Sequence, residues 1–146
     1  MRRNDLLFNR TNSLDQIAKV GIVDFDPSEP LTFASYLVRI RTNDLAIPKY
    51  LNFLLNAPIF LEFARKNAIP AIGQANLSPA RYGEIHVPIP PRAEQEKIVA
   101  FLERETGAVN LLLEEIRCSV ELLRERRAAL VAAAVTGQIS LMEISR

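Results

Sequence analysis

Short apolar segments separated by polar turns fill the N-terminal part of the chain, a pattern that is typical of β-strands. The apolar segments are DLLF, VGIVDF and YLVRIR, and the stretches between them are rich in Asn, Asp, Ser and Pro, which favour turns. In YLVRIR, apolar and charged residues alternate, so that Arg39 and Arg41 share one face of the strand, where we expect plain surface charges. The pattern therefore predicts three strands before residue 42.

Beyond these strands the apolar spacing becomes helical. The spacing over 48–67 predicts two short helices with a break before Pro58. We interpret NAIPAIGQANLSP as a loop and SPARYG as a single helical turn. EIHVPI has the composition of a last strand, which its prolines would confine to the edge of a sheet.

A long helix is the strongest regular feature of the sequence. It is predicted from about Arg92 to Val135, with Pro91 suited to its first turn and Gly137 placed as its C-terminal stop. At 1.5 Å per residue such a helix is roughly 65 Å long. Its apolar residues follow a 3.5-residue repeat, which predicts a coiled-coil seam that needs a partner helix. The seam consists of Ile98, Leu102, Val109, Leu112, Ile116, Leu123 and Leu130.

These elements predict an α+β protein, with a small mixed or antiparallel sheet and short helices followed by a long C-terminal coiled-coil helix. The length of 146 residues, 49% of them hydrophobic, suffices for one compact domain plus an appendage. We expect a domain over 1–90, the helix over 91–137 and a tail over 138–146. The longest apolar run is too short to span a bilayer, and one cysteine cannot form an internal disulfide, so a soluble, cytoplasmic protein is expected.

Charge and motifs narrow the function classes. A net charge of +1 does not indicate a general polyanion binder, although fourteen of the eighteen basic residues are arginines, whose planar fork suits phosphates and guanine edges. One histidine and one cysteine make no metal site, and no phosphate-binding glycine loop or nucleophile elbow is present. A nuclease built on EQEK, with Asp24 or Asp26 as its metal-binding carboxylate, is an alternative, but EQEK fits a helix start better. We expect no catalysis, no cofactor and no metal.

The segments VPIPPRAEQEKIVAFLE and ELLRERRAALVAAAVTGQI resemble the specificity subunit of type I restriction-modification systems. DLLFNRTNS resembles a loop of one class of its target-recognition domains, and YLVRIRTND with IPKYLNFLLNAP resembles that class's strand and helix. The resemblance covers nearly the whole chain and implies one target-recognition unit followed by one spacer helix. Family subunits carry two of each, so the chain is similar to half a subunit.

The resemblance implies a non-catalytic subunit that binds one half of a bipartite double-stranded DNA target. It implies methyltransferase and restriction subunits as partners, and an antiparallel coiled coil with a second half-subunit or a second copy. A helix of this length spans no more than about 19 base pairs. The family's domain is longer, so its first part is expected to be missing here. The alternative is a truncated helical dimerisation or assembly module that no longer reads DNA.

Two loops supply the candidate DNA contacts. Arginine forks and side-chain amides are the groups that read guanine and adenine edges, and an arginine after a short helical turn suits a phosphate. The candidates are Arg10, Asn12, Ser13, Gln74, Asn76 and Arg81. A turn in which the polar side chains of NRTNS bond their own backbone is an alternative role that is compatible with DNA contact. In the neighbouring LDQIAK, Ala18 stands where the family usually has glycine.

Overall fold

The structure is a computed structural model that describes residues 1–139. Residue contacts divide the chain into two compact units, Met1–Phe101 and a second unit that begins at Leu102. The predicted division at 90 and 137 stays a prediction, and most of the predicted tail, from 140 onward, lies outside the described residues. In chain order the elements are β1 (Leu6–Asn9), β2 (Thr11–Asn12), β3 (Val20–Ile22), β4 (Leu37–Ile40), α1 (Pro48–Asn56), α2 (Pro58–Lys66), β5 (Ile69–Ala71), β6 (Gln74–Asn76), α3 (Pro79–Gly83) and α4 (Arg92–Val135).

The three strands predicted at the N-terminus form one antiparallel sheet. Strand β1 is central, with β3 on one side and β4 on the other. Leu6 and Phe8 alternate with half-buried positions along β1 and are fully buried in the core, as the period of two requires. The α+β class is confirmed, with antiparallel sheets, short helices and the long C-terminal helix.

A second antiparallel sheet, in the order β2, β6, β5, corrects the predicted loop over 67–79. Strands β5 and β6 form a hairpin closed by the two-residue turn Ile72–Gly73, and Gly73 has a φ of 75°, which glycine adopts without strain. The strands are only three residues long and β5 contains Pro70, so neither alternation nor composition marked them as strands. Pro70 is tolerated because β5 is an edge strand.

Helix α1 covers the outer edge of β3 through two asparagines. The backbone N–H of Val20 donates to Asn56 Oδ1 at 3.1 Å, and Asn56 Nδ2 donates back to the Val20 carbonyl at 2.7 Å. Asn52 Nδ2 also donates to that carbonyl, at 2.9 Å. The side chains therefore replace the strand that an open sheet edge would otherwise recruit. Both helices predicted over 48–67 are present, with the break before Pro58.

The segment predicted as a last strand, EIHVPI, forms no strand over 84–89. Pro88 lacks the N–H that a ladder needs, as do Pro90 and Pro91 directly after the segment, and the chain runs irregularly from α3 to α4. Ile85 and Val87 still pack against the core, and Tyr50 donates from its hydroxyl to the Pro88 carbonyl at 3.0 Å. Apolar contacts and side-chain hydrogen bonds thus replace ladder bonds.

Arg41 is not the plain surface charge that the alternation predicted. Its Nε donates to Asp5 Oδ1 at 2.6 Å and its Nη2 to Asp5 Oδ2 at 3.3 Å, a two-pronged contact with a fully buried carboxylate. These hydrogen bonds lower the pKa of Asp5 to about 2, against the opposing effect of burial. Arg39, two residues earlier, is exposed as predicted.

Helix α4 has the bounds that the sequence predicted. Pro91 precedes it, and its carbonyl accepts from the N–H groups of Glu94 and Gln95. At the other end Gly137 has a φ of 72°, the Gly137 N–H donates to Ala134 and the Gln138 N–H to Ala133. This pair of bonds is the Schellman arrangement, which satisfies the last helical carbonyls.

Gln95 holds the first turn of α4 in the first unit. The side chain is fully buried, and its Oε1 accepts from the backbone N–H of Ile47 at 2.8 Å. Its Nε2 donates at 2.8 Å to the carbonyls of both Leu45 and Pro90. One amide therefore satisfies three backbone groups on two irregular segments, which have no ladder partners at these positions.

Replacing Gln95 by alanine is expected to lower the free energy of unfolding by roughly 2–4 kcal/mol, because it leaves buried backbone groups without partners. Glu96→Ala is the matched control, since Glu96 is exposed and its ion pair with Arg92 contributes little, within about 0.5 kcal/mol. Urea unfolding followed by circular dichroism measures both. Equal losses in the two variants would contradict the role of Gln95.

Candidate functional site

The backbone of Arg10 is where the chain passes from one sheet to the other. Its N–H donates to the Tyr36 carbonyl at 3.0 Å, beside β4, and its carbonyl accepts from the Leu77 N–H at 2.8 Å, beside β6. Thr11 then pairs with Asn76 and Asn12 with Ala75. The two candidate loops, distant in sequence, therefore become neighbours across one antiparallel ladder.

Five of the six candidate DNA-contacting residues meet at this junction. Arg10 Nη2 lies 3.4 Å from Asn76 Oδ1, within hydrogen-bonding distance. The polar side chains border a shallow concave surface that encloses a volume of about 400 Å³. Its lining residues are Thr11, Asn12, Ser13, Tyr36, Gly73 and Gln74. The position of Tyr36 here was not predicted, because its strand lies in the other sheet and only the crossing at Arg10 brings it close.

The polar turn after β2 is ordered by its own side chains, as the alternative reading of NRTNS proposed. Asn12 Oδ1 accepts from the Ser13 N–H at 2.8 Å, and the Ser13 hydroxyl donates to Asp15 Oδ1 at 2.6 Å. The hydrogen bond from Ser13, with a second one from Gln16, lowers the pKa of Asp15. Asn12 thus uses its carbonyl oxygen within the turn, while its NH₂ group is the part suited to a ligand.

Arg10 itself is half-buried, and its Nε is a buried donor without a partner among residues 1–139. An unpaired buried donor is costly, so such a group is normally satisfied by a ligand, water or another protein group. Because the same guanidinium contacts Asn76, the fork is held beside the amide side chains of the second sheet.

Arg81 lies apart from this group. It is exposed on α3 and borders a different depression, with Phe63, Asn67 and Glu84. Its neighbour Tyr82 is buried and stacks on Phe8, with ring centroids 4.0 Å apart. Stacking fixes α3 against the first sheet, so the structure does not bring Arg81 to the junction of the two sheets.

A β-bulge supports the turn on the side of β1. The Asn9 N–H donates to the Lys19 carbonyl and the Ala18 N–H donates to the Asn9 carbonyl, both at 2.9 Å, so two residues oppose one. Ala18, the first of the two, has a φ of 69° and is fully buried. Glycine usually occupies this position of such a bulge, so Ala18 stands where the backbone conformation favours glycine.

The predicted seam residues from Val109 onward are exposed. Val109, Leu112, Ile116, Leu123 and Leu130 each expose half or more of their surface. Ile98 and Leu102, at the start of the stripe, are half-buried. A periodic apolar stripe of this length on a helix is consistent with a coiled coil. Its pairing stays a prediction.

Other site chemistries find little support in residues 1–139. This part of the chain contains no group of three or more histidine, cysteine or acidic residues arranged to hold a metal ion. None of its helices combines the length and the hydrophobicity needed to cross a bilayer.

Comparison with known proteins gives two matches. Residues 3–121 match the family model of the type I restriction modification DNA specificity domain. A curated relative, described as the MjaX type I restriction enzyme specificity subunit of Methanocaldococcus jannaschii, is 31% identical over 119 residues. The match covers 75% of this chain and 27% of the relative, so the chain spans about a quarter of that protein's length.

Replacing Ala18 by glycine is expected to change the free energy of unfolding by less than about 1 kcal/mol. Glycine relieves about 1–2 kcal/mol of strain in the left-handed backbone conformation. This gain is offset because glycine buries no methyl group and gives the unfolded chain more conformational freedom. Ala18→Val is expected to cost more than about 2 kcal/mol, because a β-branched residue tolerates a positive φ poorly. Urea unfolding tests this, with the exposed Ala34→Val as control. A harmless Ala18→Val would contradict the bulge geometry.

Proposed function

Because the chain belongs to the type I restriction modification DNA specificity family, we propose that it is a non-catalytic component that recognises one half of a bipartite DNA target. Methyltransferase and restriction subunits would be its partners and would perform the chemistry. The observation that carries this proposal is the meeting of Arg10, Asn12, Ser13, Gln74 and Asn76 at the junction of the two sheets.

The chemistry of this junction suits the edges of base pairs. A guanidinium fork donates to the two acceptors of guanine, and a side-chain amide pairs with the acceptor and donor of adenine. Gln74 and Asn76 lie on the same face of β6, since residues two apart share a face, and Ala75 between them is buried. The hairpin therefore presents two amides in one direction, next to the arginine.

Arg81 fits a different role in the same proposal. An exposed arginine away from the amide cluster is suited to a phosphate, which fixes the position of a protein on the duplex without reading sequence. With a net charge of only +1, the chain has little long-range attraction for DNA, so individual contacts must supply most of the affinity.

Helix α4 supports the second part of the proposal, an assembly role. We propose that its apolar stripe pairs antiparallel with the same helix of a second half-subunit or a second copy, and that the paired helices dock the methyltransferase subunits. Such pairing would hold two recognition units at a fixed separation, matching a target split by a nonspecific gap.

Gln74→Ala is expected to relax base preference at one target position by about tenfold or more, since a paired amide discriminates by roughly 1–3 kcal/mol. Arg81→Ala is expected to weaken all sequences alike and to reduce the salt-dependence slope by about 1. Fluorescence anisotropy of labelled duplexes with the methyltransferase complex, with and without the full chain, measures both.

Arg3→Ala is the control for these variants, because Arg3 is an exposed arginine that already pairs with Asp26. It should leave affinity and preference unchanged. If adding the wild-type chain changes neither DNA affinity nor site preference of the complex, DNA recognition fails and a purely assembling module is favoured.

Ile116→Glu is expected to weaken self-association or pairing by at least about tenfold, because a charge would be buried in the seam. Arg117→Glu changes charge at the neighbouring position outside the seam and serves as the control. Sedimentation velocity of the full chain measures the effect. A wild-type chain that stays monomeric at high concentration would rule out a self-paired helix.

A further inference from the structure

Ile72 is an apolar side chain at the tip of the β5–β6 hairpin, and it is fully exposed. Its relative exposure is 104%, the highest among the exposed large hydrophobic residues of the described chain. Ala71 and Gln74 pair on either side of the turn, so Ile72 and Gly73 alone form it. Short hairpin turns normally hold Gly, Asn or Asp, and an isoleucine here brings no conformational advantage.

The surroundings of Ile72 offer it no packing role in the described chain. All three residues of β5 are exposed, and Ile69 at its start exposes 56% of its surface. In contrast Ala75, on the inner face of β6, is buried and joins the core. The hairpin is therefore anchored through β6, and none of the residues of its outer strand and tip is buried.

The tip directly adjoins the polar junction. Gly73 and Gln74 border the concave surface together with Thr11, Asn12 and Ser13. A two-stranded ribbon is narrow enough to enter the major groove of B-form DNA, which is about 12 Å wide. When the amides of Gln74 and Asn76 face the base edges, the residue at the tip of the hairpin reaches furthest into the groove.

We propose that Ile72 contacts the 5-methyl group of a thymine in the major groove and makes that position of the target selective for thymine. This inference rests on the proposed DNA-recognition function and adds a residue to it. The thymine methyl is the one apolar group that base pairs present in this groove, and apolar side chains are its usual partners. A small exposed hydrophobic tip beside hydrogen-bonding amides supplies the matching chemistry.

The test uses a duplex that the full chain, assembled with a methyltransferase subunit, selects from a random-sequence pool. Each thymine of the selected duplex is replaced in turn by uracil, which lacks only the methyl group. For the wild-type chain, one replacement is expected to weaken binding about fourfold, the effect of one buried methyl. Ile72→Ala should bind the thymine duplex about as weakly as the uracil duplex and lose sensitivity to the replacement.

Ile59→Ala is the matched control, since Ile59 is also an exposed isoleucine but lies on α2 and borders a different depression. It should keep the wild-type response to uracil. As a direct measurement, 5-bromouracil at the sensitive position should cross-link on irradiation to the peptide that contains residue 72, because bromine occupies the place of the methyl group.

The outcomes separate the two proposals. If the wild-type chain selects a duplex but tolerates uracil at every thymine, the Ile72 contact is overturned while DNA recognition stands. If it selects no duplex, DNA recognition itself fails. Should Ile72→Ala keep the uracil response but release the methyltransferase subunit, the tip is a protein contact and the inference is overturned.

Discussion

The structure depends on the hydrogen bonds that Gln95 makes to backbone groups at the start of α4, where no β-ladder pairs those groups. Three prolines in the segment that leads into the helix remove the N–H groups with which it could join a sheet. Buried carbonyls and N–H groups nevertheless need partners. A single buried amide supplies them for Leu45, Ile47 and Pro90 at once. The helix that carries the apolar stripe therefore begins within the first unit. Hydrogen bonds from a side chain hold its first turn there, in place of ladder hydrogen bonds.

Limited backbone pairing also determines the structure of the candidate DNA surface. Neither sheet has strands longer than four residues, and the chain passes from one to the other within a single residue, Arg10. Because main-chain groups of Arg10 and Asn9 are occupied by Tyr36, Leu77 and the bulge at Ala18, the junction is held by backbone bonds. Some of its polar groups are already engaged: the oxygen of Asn12 and the hydroxyl of Ser13 order their own turn, and Arg10 Nη2 contacts Asn76 Oδ1. The remaining polar side-chain groups are available for a ligand.

Local signals predicted the elements that the structure confirms, and non-local pairing explains the rest. The bounds of α4 follow from Pro91 and Gly137, and β1, β3 and β4 follow from short apolar segments separated by polar turns. The β5–β6 hairpin was missed because its pairing with β2 joins residues far apart in sequence, and strands of three residues are too short for alternation to mark them. The roles of Arg41 and Gln95 were invisible for the same reason, since their partners lie on other segments. The sequence predicted the candidate residues by chemical type. Only the crossing of the chain at Arg10 brings five of them together and leaves Arg81 apart.

Exposed apolar surface on α4 differs in pattern from that at the β5–β6 hairpin. On α4 it is periodic, with a repeat of 3.5 residues, and extends over many turns. Only another helix matches such a repeat along its length, because knobs of one helix must find holes in the other. At the hairpin it is not periodic and is confined to β5 and the tip residue Ile72, next to the polar junction. A narrow groove lined by hydrogen-bonding groups with isolated methyls suits the tip residue, in agreement with the separate roles proposed for α4 in assembly and for the hairpin in DNA recognition.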